Sequence, residues 1–281
     1  MKKVLFLLFI TININAQSKM SNKDWKPLFN GKNLDGWDIK IRGYDLNDNF
    51  GKTFSVKDQK IVVNYDAYDN FNFRYGHLFY KNAYSYYRIA LDYRFVGEQA
   101  KGGEDWAWRN SGIMIHGQPA KTMGKDQDFP ISIEVQLLGG KNDQKPRTTC
   151  NLCTPGTNVT YENKFDTRHC INSNSKTYDG DQWVHAEVEV LGDSLIRHYI
   201  NGELVMTYTK PVIGGGVVSG FDPAQKPDGQ ALTSGTISLQ SESHPVEFKG
   251  VKLLNLKGCM IKKAKNYKSY FVKEDNSTCK F

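Results

Sequence analysis

Strict alternation of apolar and polar residues is the feature that most restricts how this chain can fold. Trp183–Leu191 reads WVHAEVEVL, which puts four small or aliphatic residues on one face and His185, Glu187 and Glu189 on the other. Tyr86–Phe95 alternates in the same way. A period of two residues is that of a β-strand with one buried face. No long stretch has the 3.6-residue period of a helix, so the sequence predicts an all-β chain.

Turn signals separate these alternating runs. Asn201-Gly202 lies between two of them, and this dipeptide is the strongest short-range signal for a β-hairpin. Two further strands are predicted over Thr236–Gln240 and Val246–Leu256. Such a series of short strands predicts a jelly-roll β-sandwich of two antiparallel sheets. A long polar loop, 139–181, and a loop rich in Gly and Pro, 214–233, are expected at its rim.

The first sixteen residues have the composition of a secretory signal peptide. Lys2 and Lys3 precede the short apolar run Val4–Ile10, and Ala16 precedes Gln17. That run is too short to span a bilayer. We expect cleavage of residues 1–16 and a secreted or periplasmic protein with no transmembrane segment.

The net charge of +7 is concentrated at the ends of the chain. Residues 257–281 hold seven lysines against Glu274 and Asp275, a net of +5, and Lys2 and Lys3 supply the other two charges. Residues 17–256 are therefore neutral, which is not the pattern of a nucleic-acid binder. We predict one β-sandwich domain over 17–256 and a Lys-rich, Cys-containing tail over 257–281.

Five cysteines follow residue 149, and an oxidising compartment favours their pairing. Cys259 and Cys279 are the only two in the last hundred residues, so we expect a disulfide that closes the tail. Upstream we favour Cys153 with Cys170, which leaves Cys150 unpaired. Together with His169, the upstream cysteines could also bind zinc. A secreted chain makes the disulfide the favoured interpretation.

Two neighbouring strands carry the first candidate functional residues. A polar, aromatic loop leads into a strand in which Gly112, Met114 and His116 share one face, and Gly112 leaves room for a close approach. Along Ile131–Leu137 every second residue is apolar, which turns Glu134 outward, away from the core. The outward residues of this strand are Ser132, Glu134 and Gln136. The loop before the Gly112–His116 strand contains Trp106, Trp108, Arg109 and Asn110.

If the outward face is the concave side of the sandwich, Glu134 and Gln136 lie beside His116. A carboxylate, an amide and an imidazole can move a proton and hold a hydroxyl group. Gln240 and Glu242, at the end of a later strand, could border the same cleft. The alternative is an ordinary solvated polar face.

Conventional glycosidases need two carboxylates that flank the scissile bond. The central strand offers Glu134 alone, with Gln136 where sandwich glycosidases often have a second acid. A conventional retaining double displacement is therefore not expected from this strand.

Several motifs in order resemble the 3-keto-disaccharide hydrolase family. The opening WKPLFNGKNLDGW resembles the start of that domain, and Cys153–Val159 with His169-Cys170 is similar to a branch from Bacteroidetes-like bacteria. The shared motifs in between are Asn110–Ile113, Glu134–Gln136, Trp183-Val184, Asn201-Gly202 and Gly235–Gln240. The resemblance covers nearly all of the chain after residue 16.

This resemblance implies a concanavalin/glucanase-like jelly roll that cleaves glycosides already oxidised at C3. A C3 ketone acidifies the C2 proton, so a base can remove it, the glycosidic oxygen leaves, and water then adds. By position, Glu134 and His116 are the catalytic candidates, and a divalent metal is a candidate for polarising the ketone. The expected sugar-binding residues are Arg109, Asn110, Gln136, Gln240, Glu242, Trp106 and Trp108. The alternatives are a non-catalytic carbohydrate-binding jelly roll and a conventional glycoside hydrolase.

Overall fold

The computed structural model describes residues 21–281, so the predicted signal peptide 1–16 lies outside the described residues. The strands are Lys26–Pro27 (β1), Trp37–Ile41 (β2), Phe54–Lys57 (β3), Lys60–Val63 (β4), Gly76–Tyr84 (β5), Tyr86–Phe95 (β6), Asn110–Gly117 (β7), Ile133–Leu138 (β8), Asn151–Cys153 (β9), Thr157–Tyr161 (β10), Lys164–Asp166 (β11), Cys170–Ile171 (β12), Val184–Leu191 (β13), Leu195–Ile200 (β14), Glu203–Ile213 (β15), Gly235–Ser241 (β16), Val246–Asn255 (β17), Lys257–Gly258 (β18) and Lys273–Glu274 (β19). Short 3-10 helices cover Asn22–Asp24, Phe50–Lys52, Asp105–Ala107, Ala120–Thr122, Pro223–Gln225 and Asn276–Thr278.

Two large antiparallel sheets form a jelly-roll sandwich, which confirms the predicted fold class. One sheet has ten strands in the order β11-β10-β15-β14-β13-β6-β17-β4-β3, with β1 also paired to β17. The other has seven strands in the order β12-β9-β8-β7-β16-β5-β2. Asn201 and Gly202 both have positive φ, as a tight hairpin turn requires, and they join β14 to β15.

The core lies between the facing sides of the two sheets. Along β13, burial alternates residue by residue, because one face packs inward and the other carries charged side chains. The seven-stranded sheet supplies Ile113, Ile115, Val135 and Leu137 to the same core. Burying apolar area of this kind is the main stabilising contribution to the fold.

The outer face of the seven-stranded sheet is polar but buried, and this face positions the candidate site. Glu134 on β8 lies between Met114 on β7 and Cys153 on β9 in register, and Gln240 on β16 pairs with His77 on β5. His77 and Gln240 have no exposed surface, and Glu134 is 5% exposed. Loops must therefore cover this face.

Both predicted disulfides are present in the structure. Cys153 is joined to Cys170, which ties β9 to β12 at the edge of the seven-stranded sheet. Cys259 is joined to Cys279 across the tail, and Cys150 is a buried free thiol. Within residues 21–281, no helix is long and apolar enough to cross a membrane. The domain boundary at residue 256 stays a prediction.

Candidate functional site

A cleft of about 440 Å³ opens on the outer face of the seven-stranded sheet. Its floor comes from β7, β8 and the residue that follows β16, and its walls come mainly from the surrounding loops. The lining residues are Trp106, Asn110, Phe129, Glu134, Gln136, Leu138, Arg147, Pro155, His169, Cys170, Val217 and Glu242. The two loops predicted at the rim, 139–181 and 214–233, both contribute to the walls.

Glu134 lies at the floor of this cleft, across the backbone of Gly112. A Cβ atom at Gly112 would come within 2.7 Å of Glu134 Oε1, so only glycine leaves room for this carboxylate. Burial disfavours the charged form and raises the pKa of Glu134 from 4.5 to about 8. Its Oε1 atom has no hydrogen-bond partner among the described residues. This carboxyl can therefore take or give a proton near neutral pH.

Glu242 is the second buried carboxyl of the cleft. Burial raises its pKa well above 4.5, and the negative charges of Glu134 and Glu104 raise it further. The Gln240 amide donates to Glu242 Oε1 at 3.4 Å, a long hydrogen bond that orients the carboxyl. Because Glu242 carries these additional like-charge effects, we expect Glu134 to ionise first while Glu242 keeps its proton.

Several polar atoms on this face lack a partner within the described part of the chain. They include Asn110 Oδ1, Glu134 Oε1, Glu242 Oε2, Gln240 Oε1 and both ring nitrogens of His77. Buried polar groups are normally hydrogen-bonded, so such a group of atoms indicates a place for water or for a hydroxyl-rich ligand. Asn110 and the two carboxyls line the cleft directly.

Asn110, Gln136, Trp106 and Glu242 are placed where a bound sugar could reach them. Gln136 Oε1 accepts from Asn151 Nδ2 at 3.0 Å, which fixes the amide and leaves its NH₂ group for a ligand. Trp106 is 48% exposed at the rim. Gln240 was expected among the sugar contacts, but it is fully buried below the cleft and contacts Glu242 instead.

His116 does not lie beside Glu134, contrary to the alternation argument. The pairing of β7 with β16 shifts between Met114 and Gly117, and His116 has a φ of 51°. A bulge of this kind turns a side chain away from its regular direction. His116 Nε2 contacts the Gly192 carbonyl oxygen at 3.0 Å, and the residue lines a different cavity.

Arg109 and Trp108 were expected to bind sugar, and the structure gives them other contacts. Arg109 donates to Gly180 O at 2.6 Å and to Asp181 Oδ1 at 2.8 Å, so it fastens the end of the 139–181 loop. The Trp108 ring lies 5.0 Å from the Arg109 guanidinium carbon. Neither side chain lines the cleft.

Arg147 and His169 line the cleft but were not among the predicted sugar contacts. Burial lowers the pKa of Arg147 to about 10, although the guanidinium stays charged at neutral pH. The His169 ring is half-buried, and desolvation lowers its pKa. Both belong to the long polar loop, whose length signalled function but whose irregular sequence gave no way to choose individual residues.

One cluster of potential metal ligands occurs among residues 21–281, namely Cys153, His169 and Cys170. The two sulfur atoms are joined in a disulfide, so they cannot act as thiolate ligands. The disulfide interpretation thus holds against the zinc alternative in this structure. Glu134 and Glu242 offer oxygen atoms for a divalent cation, but no third such group joins them in a cluster within the described part of the chain.

Solved structures from several organisms are similar to this chain. A candidate glycosyl hydrolase from Parabacteroides distasonis ATCC 8503 is 20% identical, and the match covers 84% of this chain and 97% of that one with a TM-score of 0.50. The carbohydrate-binding module CBM66 from Bacillus subtilis matches at 11% identity, 78% and 96% coverage and a TM-score of 0.46. A Bacillus licheniformis β-glucanase matches at 12% identity, 82% and 96% coverage and 0.43. No curated protein matches the chain.

The sequence profile of one domain family covers most of the chain. The family is described as a 3-keto-α-glucoside-1,2-lyase-like domain, and its profile matches residues 24–254. That span includes every residue that lines the cleft and all of both sheets except Asn255 at the end of β17. The chain therefore belongs to the 3-keto-α-glucoside-1,2-lyase-like domain family.

Proposed function

We propose that this protein cleaves 3-keto-glycosides by elimination followed by addition of water. The observation that carries the proposal is the pair of buried carboxyls, Glu134 and Glu242, at the floor of one cleft. Glu134 is expected to lose its proton at lower pH than Glu242, so that one carboxyl can act as a base while the other still holds a proton to give. The family description supplies the substrate class.

Glu134 is the base in this proposal. Its carboxylate takes the proton from C2, which the neighbouring C3 ketone has made acidic, and the electron pair of that C–H bond forms the C1–C2 double bond. The bond from C1 to the glycosidic oxygen breaks, and its electrons leave with the oxygen. Glu242, still protonated, gives its proton to that oxygen. Water then adds across the double bond, with its hydroxyl group at C1 and its hydrogen at C2.

Asn110 and Gln136 orient the sugar above the carboxyls. The unpartnered Asn110 Oδ1 accepts a hydrogen bond from a hydroxyl group of the sugar, and the Gln136 NH₂ group donates one to another oxygen atom of the sugar. Gln240 is a positioning residue that holds Glu242. His116 has no place in this scheme, because it lines a separate cavity.

A secreted or periplasmic location fits this proposal. The two disulfides, Cys153–Cys170 and Cys259–Cys279, are stable in an oxidising compartment. An enzyme outside the inner membrane meets glycosides before uptake. Detection of the mature protein in a periplasmic or culture fraction, starting near Gln17, would support this location.

Turnover of paired substrates tests the proposal. The protein is assayed with a 3-keto-disaccharide and with the same disaccharide before oxidation. The proposal predicts release of free sugar from the oxidised compound alone.

Cleavage of the unoxidised sugar would instead support a conventional glycoside hydrolase. That second candidate is favoured by one observation, which is that Glu242 supplies the second acid absent from β8. Binding of both sugars without turnover would support a carbohydrate-binding module and contradict the enzymatic proposal.

A further inference from the structure

The cleft has a polar floor and largely apolar walls. The walls come mainly from a 3-10 helix and from loops, with Leu138 at the end of β8 and Cys170 on β12. The apolar wall residues are Trp106, Phe129, Leu138, Pro155, Cys170 and Val217. Cys170 is bonded to Cys153, the register partner of Glu134, so this wall stands directly beside the base.

Trp106 is held in place although half of its surface is exposed. Its ring stacks on Tyr75 with centroids 6.2 Å apart and planes 26° apart. Its backbone carbonyl accepts from Arg147 Nη2 at 3.4 Å. A fixed and exposed indole at a cleft rim is suited to stacking against another flat or apolar group.

Val217 is a second exposed apolar residue of the wall, and its backbone is strained. Its φ is 55°, a region that β-branched residues rarely adopt, and its side chain is 53% exposed. The preceding residue is anchored, because Gly216 O accepts from Gly156 N at 3.0 Å. Strain retained at a cleft wall indicates that presenting this side chain has a function.

The walls offer few hydrogen bonds to a second sugar. Among the described wall residues the polar ones are Arg147 and His169. Arg147 Nη1 already donates to Gly139 O at 2.6 Å, and His169 Nδ1 is buried without a partner in the described part of the chain. A sugar leaving group would lose water from several hydroxyls without replacing those hydrogen bonds. An aromatic leaving group would gain by burial against the same walls.

We propose that the walls form a subsite for an apolar, aromatic aglycone, so that the preferred substrates are 3-keto-glucosides of aromatic alcohols rather than 3-keto-disaccharides. This inference rests on the function proposed above. In the elimination step the aglycone leaves as an alcohol whose oxygen takes the proton of Glu242.

Binding to the inactive Glu134→Gln variant tests the subsite separately from catalysis. The probes are the 3-keto-glucoside of 2-phenylethanol and a 3-keto-glucosyl-glucose joined through the primary 6-hydroxyl. Both leaving groups are primary alcohols, so they differ chiefly in polarity. Calorimetry should give a Kd at least about tenfold lower for the phenylethyl compound. Equal affinities, or tighter binding of the disaccharide, would overturn the inference.

Adding Trp106→Ala to that variant should weaken binding of the phenylethyl compound by about tenfold and change binding of the disaccharide little. Leu204→Ala is the matched control, because Leu204 is 52% exposed on the ten-stranded sheet, away from the cleft. Equal losses for both compounds would contradict an aglycone role for Trp106. Failure of the wild type to cleave either compound would defeat the proposed function, while the ratio of Kd values would still decide the subsite.

Discussion

Replacing Glu134 by glutamine should have opposite effects on activity and on stability. Glutamine keeps the shape of the side chain but cannot accept a proton. If Glu134 is the base, turnover of a 3-keto-glycoside should fall by about 10²–10⁴-fold. The same change should stabilise the fold at neutral pH, because Glu134 is a buried carboxyl that resists ionisation.

The size of the stability gain follows from the pKa. Burial raises the pKa of Glu134 from 4.5 to about 8, so the unfolded chain loses its proton at lower pH than the folded protein does. The stability due to the protonated carboxyl is complete below pH 4.5 and declines as pH rises towards 8. Between about pH 4 and about pH 7 this decline is about 3 kcal/mol. The glutamine side chain of the variant does not titrate, so the variant does not lose this part of its folding stability as pH rises.

The assay compares melting temperatures of the two proteins at about pH 4 and at about pH 7. The difference between variant and wild type should grow by about 6–12 °C over that range, at roughly 2–4 °C per kcal/mol. A stability difference that arises from packing alone does not depend on pH, so it is the same at both pH values and cancels in this comparison. Glu203→Gln is the matched control, since Glu203 is exposed on β15. A difference between Glu134→Gln and wild type that does not grow from about pH 4 to about pH 7, or a variant that retains full turnover, would refute the reasoning.

Three further predictions concern the ionisation of Glu134, the role of Glu242 as the acid, and the contact between Arg109 and Asp181. The kcat/KM for a 3-keto-glycoside should rise with pH through about 8, because the base must be ionised; a rate that falls over that range would contradict the assignment. Glu242→Gln should lower kcat by about 10²-fold or more through loss of the acid, and a change in KM alone would show that Glu242 only binds sugar. Asp181→Asn should lower the melting temperature by weakening the Arg109 contact while leaving KM nearly unchanged; a large rise in KM would return Arg109 to the sugar-binding set.

The fold could be predicted because its cause is local. The alternation in β6 and β13 depends only on the backbone conformation of a few consecutive residues. The same is true of the Asn201-Gly202 turn. The face on which Glu134 lies followed from the same alternation. Gly112 was expected to permit a close approach, and the Glu134 side chain occupies that space.

The site could be predicted only in part because its remaining residues depend on irregular backbone. His116 alternates correctly in sequence, but a bulge in the pairing with β16 turns it towards Gly192. The sequence alone does not distinguish Arg109 from Arg147 as a sugar-binding arginine. The course of the 139–181 loop decides that Arg147 lines the cleft and that Arg109 binds Asp181. Loops of that length carry no periodic signal from which a side-chain direction could be inferred.

The central claim is that the C2 proton is removed during cleavage, and isotope exchange tests this claim directly. The wild-type protein is given a 3-keto-glycoside deuterated at C2 in ordinary water, and the released 3-keto-sugar is analysed at early times by mass spectrometry. Substrate incubated with Glu134→Gln measures the background exchange. Elimination and hydration predict that the product loses the label as fast as it forms. Product that retains deuterium at C2 would show direct substitution at C1 and would contradict the account.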